Sequence, residues 1–379
     1  MKTLSRKFPT IIFSLKIIFT IILSGILCNN SFSQTNAKNL EIKLDAIIDS
    51  FYVNDSLPGI VVGIFTPEFT YKKIVGRADL KTGVDRQYDD KIRIGSITKT
   101  FVTTVILQLV DEGKLSIDDK LSKFYPQVPN SDSITLRQVM DMTSGIPDYL
   151  NYPLLDSSFT YARLNKFTPQ EILDATISLK PDFPPGKGWK YSNGNYNILG
   201  MIVEKITGNK VEDEINTRII KPLNLVNTSF PTTPYMEGQY SHGYMRDTAT
   251  HELIDVTVID PSITWAAGAM ISNMDDLKIF ENAISNGTLL SAATQKERLK
   301  FVGTGVKDFL KYGLGMFYLD GFIGHNGGIT GYNTMMSYNP DLQTTILVSL
   351  NEYGVKGGKV DIVFIQLAKA LFPDKNLFE

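Results

Sequence analysis

The spacing of apolar residues changes twice along the chain, and the changes divide it. Leu40, Ile42, Leu44, Ile47, Ile48 and Phe51 recur mostly at helical spacing and predict a helix from Leu40 to Phe51. Pro58-Gly59 interrupts, and Ile60-Val61-Val62-Gly63-Ile64-Phe65 is a β-branched run too short for a helix. With Tyr71 to Val75 it predicts two adjacent strands. From Ser96 to Glu112 the period is helical again, with Ile97, Phe101, Val102, Val105, Ile106, Leu109 and Val110 on one side and Gly113 as the stop.

Between about 120 and 300, helical stretches are separated by long loops rich in Pro, Gly, Asn and Asp. Thr168-Pro169-Gln170-Glu171 reads as a capping box with proline at the first helical position; Asn197 to Thr207 and Asp275 to Ile284 are two further helices, ended by Gly208 and near Gly287. From Tyr312 the period turns to that of strands, at Gly315 to Leu319, Thr334 to Tyr338 and Thr344 to Leu350, before a closing helix from about Val360 to Leu371. Strands at both ends with helices between predict an α+β fold, one antiparallel sheet formed from both chain ends and flanked by helices, with a mostly helical insertion. The expected division is a sheet domain from 34–119 and 301–379, and a helical domain from 120–300.

The first 33 residues follow neither period. Lys2, Arg6, Lys7 and Lys16 precede a mainly apolar run from Ile17 to Leu27, and Ser31-Phe32-Ser33 puts small residues where a signal peptidase reads. This predicts a secretory signal peptide cleaved before Gln34, and a secreted or periplasmic protein. Its removal leaves 34 of the 38 basic groups against 40 acidic ones, a net charge of about −6 with histidine neutral. No basic excess then remains to neutralise phosphates, so nucleic acid is not an expected partner. The single cysteine, Cys28, lies in the leader, so a thiol nucleophile or thiolate site is not expected in the mature chain. Lipid anchoring at Cys28 is disfavoured by the bulky Ile26-Leu27 before it. A membrane span is disfavoured too, because Lys16 cuts the apolar stretch short of the roughly 20 residues a span needs.

Several catalytic signatures are missing. There is no Gly-x-Ser-x-Gly elbow, Gly303-Thr304-Gly305 lacks the third glycine of a dinucleotide fingerprint, and His242, His251 and His325 are not paired at metal-ligand spacing. No cofactor or metal is expected. Three local patterns remain. In Ser96-Ile97-Thr98-Lys99 the serine and lysine lie three apart on one helix face, within reach of each other; Ser96 is either a nucleophile beside a base or simply the helix cap. Lysine in a first turn opposes the helix dipole, and the same field depresses an ammonium's pKa. Tyr191-Ser192-Asn193 lies in a glycine- and amide-rich loop, which suits a cleft wall or an ordinary turn; Tyr-x-Asn recurs at Tyr52 and Tyr149. Gly324-His325-Asn326-Gly327-Gly328 permits close backbone approach, or is a hairpin turn.

In this order and at these separations the three patterns resemble the serine penicillin-recognising family: class C β-lactamases, low-molecular-weight D-alanyl-D-alanine carboxypeptidases and related esterases. The resemblance spans roughly 43 to 371. It includes Arg93-Ile94-Gly95-Ser96-Ile97-Thr98-Lys99-Thr100-Phe101, Thr143-Ser144-Gly145-Ile146-Pro147-Asp148-Tyr149, Ala267-Gly268 before Asp275-Asp276-Leu277, and Tyr312-Gly313-Leu314-Gly315.

The resemblance implies Ser96 as a nucleophile that becomes acylated, with Lys99 and Tyr191 handling its proton. It implies substrate binding by Asn193, His325, Gly327 and Gly328, and an oxyanion hole from the N–H groups of Ser96 and Gly328. A lysine cation beside Tyr191 is expected to lower its phenol pKa. His325 stands where β-lactamases of this class carry lysine, which points to the carboxypeptidase and D-amino-acid peptidase branch. Met316-Phe317 stands where some carboxypeptidases have a carboxylate-binding arginine, and Met142 where relatives carry histidine. The implied activity is a D-alanyl-D-alanine carboxypeptidase-like hydrolysis of cell-wall peptides. The alternatives are a β-lactamase or small-ester esterase, or a penicillin-binding sensor that acylates without turnover.

Overall fold

The computed structural model describes residues 37–354 and 358–379. The signal-peptide expectation, its cleavage point before Gln34 and Cys28 lie outside the described residues. By its contacts the chain falls into two units, 1–46 and 47–379. Helix α1 (37–54) contributes to each, and the larger unit holds everything that follows.

The centre of that unit is a nine-stranded sheet. Its strands are β1 (Gly59–Phe65), β2 (Thr70–Asp79), β3 (Val84–Asp85), β4 (Val302–Gly303), β5 (Leu310–Tyr312), β6 (Phe317–Leu319), β7 (Phe322–Ile329), β8 (Tyr332–Asn339) and β9 (Thr344–Leu350). They lie in the order β3-β2-β1-β9-β8-β7-β6-β5-β4, antiparallel throughout. The join between the two ends of the chain is the β1–β9 pairing, with Ile60 opposite Leu350 and Ile64 opposite Ile346. Both strands are almost wholly buried, which is why each reads as a mainly apolar run rather than an alternation. The α+β class and the sheet drawn from both chain ends are as expected.

The helices that matter for the site are α2 (Thr98–Asp111), α3 (Pro169–Ser178), α4 (Asn193–Thr207), α5 (Met274–Ser285) and α6 (Val360–Leu371). Helices α5 and α6 pack on β8 and β9, while α2 packs against α4. The capping box at α3 forms in both directions, Thr168 N–H to Glu171 Oε2 at 2.7 Å and Glu171 N–H to Thr168 Oγ1 at 3.2 Å. Helix α2 differs from its expected one-sided pattern, because every residue from Thr98 to Leu107 is buried. Its threonines are tolerated there because each finds a partner. Thr100 and Thr104 donate to carbonyls of the preceding turn at 2.7 Å, Thr103 meets Tyr196 Oη at 3.1 Å, and Thr98 accepts from Met270 N–H at 3.1 Å. Among the described residues no helix is long and apolar enough to cross a membrane.

Candidate active site

Ser96 does not cap α2. It sits inside a 3-10 turn, Gly95–Ile97, that precedes the helix, and no side-chain cap bond is made at either start. The hydroxyl is thereby left to Lys99, whose Nζ donates to Ser96 Oγ at 2.9 Å. The turn is held against strand β7 by two missing side chains. A Cβ on Gly95, where φ is +50°, would lie 2.8–2.9 Å from the backbone of Gly328, and one on Gly327 would lie 1.9 Å from the Ile94 carbonyl oxygen. Only glycines let the serine turn and the strand touch. The Gly324–Gly328 stretch is thus strand, not a hairpin turn, the turn falling after Ile329.

Lys99 is fully buried, and its ammonium is met by three oxygens: Ser96 Oγ, Asn193 Oδ1 at 2.8 Å and the Ala267 carbonyl at 2.7 Å. Asn193 is turned that way because its Nδ2 donates to Asp148 Oδ2 at 2.9 Å. Burial lowers the Lys99 pKa to about 7, against the opposing pull of the Asp148 charge. The Asp148 carboxyl is itself raised by burial, less what its hydrogen bonds return.

Tyr191 closes the group. The Lys99 Nζ lies 4.8 Å from its ring centroid, and the ring stacks on Phe317 at 6.4 Å with 5° between planes. Burial pushes its phenol well above the usual range; the neighbouring Ser96 pulls the other way, although no hydrogen bond of good geometry joins the two. The expected lowering by Lys99 is not seen: burial disfavours the phenolate most, and the charge of Asp148 acts in the same direction.

Ser96, Tyr191, Asn193 and Gly328 all line one cavity of about 470 Å³. Lys99 lies just beneath it. Two of the expected substrate-binding residues are placed elsewhere. His325 is 1% exposed, its Nε2 3.0 Å from Tyr312 Oη and its Nδ1 against the Asn326 carbonyl, and burial lowers its pKa to about 3. Strand alternation explains this: His325 faces inward and Asn326 takes the place on the cavity wall. Gly327 packs on Ile94 rather than facing the cavity. Met142 is fully buried, with the Asn195 amide 3.3 Å from its sulfur, a packing residue.

The residues that sequence reasoning left without a role are Asp148, the Ala267 carbonyl, Asn326 and Asp361. Asp148 carries one local signal, an N-cap bond to Leu150 N–H at 3.0 Å, which marks a turn and nothing more.

The family model described as Beta-lactamase matches residues 44–370. The chain belongs to the beta-lactamase family. Within this family of serine hydrolases it is 25% identical over 338 residues to penicillin-binding protein 4* of Bacillus subtilis, covering 84% of this chain and 72% of that one. It is 28% identical over 235 residues to esterase EstB of Burkholderia gladioli, covering 56% and 59%. Among solved structures, a D-stereospecific amidohydrolase from Streptomyces sp. superposes with a TM-score of 0.79 at 30% identity, covering 88% of this chain and 99% of that one.

Proposed function

We propose that this beta-lactamase family member hydrolyses small amides, peptides or esters through an acyl-enzyme on Ser96. The setting of Lys99 Nζ carries the reading. Two of its three neighbours, Asn193 Oδ1 and the Ala267 carbonyl, can only accept hydrogen bonds. A neutral amine directs both its N–H groups to them and turns its lone pair to Ser96, and a pKa of about 7 makes that form abundant near neutrality. Ser96 Oγ then attacks the substrate carbonyl carbon as its proton passes to Lys99. The resulting oxyanion lies against the backbone of Ser96 and Gly328, and collapse expels an amine or alcohol that takes up a proton. Water repeats the sequence to release the acid. Tyr191, kept protonated by burial, relays a proton to the leaving group and does not act as a phenolate base.

Some carboxypeptidases acting on D-Ala-D-Ala hold the substrate's terminal carboxylate with an arginine. Among the described residues lining the cavity none is basic, and Phe317 forms a wall where an arginine would serve. This favours an amide or ester substrate without that carboxylate, in keeping with the D-stereospecific amidohydrolase it resembles, over the D-Ala-D-Ala reading.

Intact-mass measurement over time tests both. A transient adduct with an amino-acid amide, absent in Ser96→Ala, supports the amidohydrolase. Release of D-alanine from a D-Ala-D-Ala peptide would restore the carboxypeptidase, turnover of a penicillin would select a β-lactamase, and a lasting penicillin adduct without turnover of anything a sensor. No adduct and no product with any of them would overturn the reading. We also propose export with cleavage before Gln34, which rests on the leader residues; N-terminal sequencing of protein recovered outside the cytoplasm checks it.

A further inference from the structure

At the end of the cavity beyond Gly328, Asp361, Asn326 and the Tyr353 phenol line the wall. Asp361, in the first turn of α6, is the only charged side chain among the described residues lining the cavity. Asn326 Nδ2 faces both its oxygens, at 2.9 and 3.1 Å, which uses the amide's donor side and leaves Asn326 Oδ1 with no described donor. The helix end offers little to an anion. The Val360 N–H is already taken by Asn333 Oδ1 at 3.0 Å, Asn333 Nδ2 is turned to the Gly327 carbonyl at 3.2 Å, and the positive end of α6 is answered by the charge of Asp361 itself.

This group lies close to the reacting centre. Tyr353 packs so tightly on Gly328 that a Cβ there would lie 2.6 Å from the tyrosine Cζ, and the charge of Asp361 helps raise the Tyr353 phenol that burial has already lifted. A partly desolvated carboxylate with one amide partner is under-satisfied, and a cationic donor relieves it most. A substrate carboxylate here would meet the like charge of Asp361.

We propose that Asp361, with Asn326 Oδ1, receives a primary ammonium carried by the substrate near its scissile carbonyl, so that the enzyme selects amino-bearing acyl substrates, such as amino-acid amides and esters, over their N-acylated and anionic counterparts. The proposal rests on the acyl-enzyme reading above and adds to it a substrate class and the residue that sets it. Asp361 is a specificity-determining residue and takes no part in the bond-breaking step.

The test compares three 4-nitroanilides of one amino acid, with a free amine, an acetylated amine and a succinylated amine, and uses 4-nitrophenyl acetate to report acylation of Ser96. The quantity read is the ratio of kcat/KM between the free-amine and acetylated compounds on a single preparation, which does not depend on how much of the protein has folded. The wild type is expected to prefer the free amine and to reject the succinylated compound. Asp361→Asn is expected to lower the free-amine ratio about ten- to hundredfold, the scale of one charge-assisted hydrogen bond, and Asp361→Glu to keep most of the preference. Equal ratios in wild type and Asp361→Asn, or a wild type that prefers the acetylated compound, overturn the ammonium site. If that happens while 4-nitrophenyl acetate still acylates Ser96, the hydrolase reading stands alone. If nothing acylates Ser96, both fall together.

Discussion

Helix α2 carries a charge of the disfavoured sign at each end, and the two ends deal with it in opposite ways. Lys99 lies in the first turn, where the dipole is positive, and Asp111 and Glu112 lie at the last, where it is negative. At the C-terminal end the charges are open to water and paired. Asp111 accepts from Ser291 N–H and Oγ–H and from Thr294 Oγ1–H, and Glu112 pairs with Arg218 and with Lys114 at 2.8 Å. Hydrogen bonds from Arg218 and then Lys114 hold the Glu112 carboxyl down at about 2, so it is charged at every ordinary pH. At the N-terminal end no carboxylate touches Lys99; Asp148 acts only from beyond Asn193, and burial prevails. Lys99 and Asp111 each make three side-chain hydrogen bonds. Access to water and the Glu112 counter-charges keep one end ionised, while burial leaves the amine at the other part-neutral near pH 7.

The largest expected effect removes the chemistry from the N-terminal end. Ser96→Ala should lower turnover by at least about 10⁴-fold and abolish the acyl adduct in a mass spectrum; an adduct that persists would place the nucleophile elsewhere. Lys99→Met should lower kcat/KM on the order of 10²–10⁴-fold. It should also remove the acid limb of the wild-type pH profile, which is expected near pH 7 because the protonated amine has no lone pair for Ser96. A limb that survives the substitution would mean that another group titrates there. His325, with its pKa lowered to about 3, is not that group.

A smaller change sharpens the contrast. The Asp148 charge raises the Lys99 pKa against burial, so Asp148→Asn should move the acid limb to lower pH. An unmoved limb would show that Asp148 serves only to orient Asn193. The smallest effect belongs to the other end. Glu112 has a depressed folded pKa, so its contribution to stability is present above the unfolded value near 4.5 and is lost as pH falls through about 2. Because its side chain is 37% exposed, Glu112→Gln should cost at most about 1 kcal/mol at neutral pH, with the difference from wild type vanishing in acid. Denaturant unfolding at pH 7 and below pH 2 measures it, and a loss of catalytic efficiency in the folded enzyme would contradict the assignment of this end to structure.

The legible parts of the fold were those where one local pattern prevailed. Strand β9 and helix α6 appear at the boundaries read from the sequence, because their apolar runs are long and sharply ended. Strand β7 was obscured by its three glycines, which lower strand propensity and are present because β7 must touch the Gly95 turn. Helix α4 starts at Asn193, four residues before the point suggested by its apolar period, since Asn-Gly-Asn hides the first turn. The pair Ser96 and Lys99 was legible because three residues on a helix is a short-range geometry. Asp148, the Ala267 carbonyl and Asp361 were not, since each reaches the site across a long stretch of chain.

The sequence by itself determined which groups are on offer: a serine three residues from a lysine at a helix start, glycines where backbones must meet, and the apolar runs that join both chain ends in one sheet. Only the tertiary structure decided their state. It buries Lys99 beneath Ala267 and Asn193 and so lowers its pKa to about 7, and it brings Asp361 to a cavity wall that holds no other described charge. Both depend on which surfaces lose water when distant segments pack together, and desolvation is a property of the folded neighbourhood, not of any local stretch of residues.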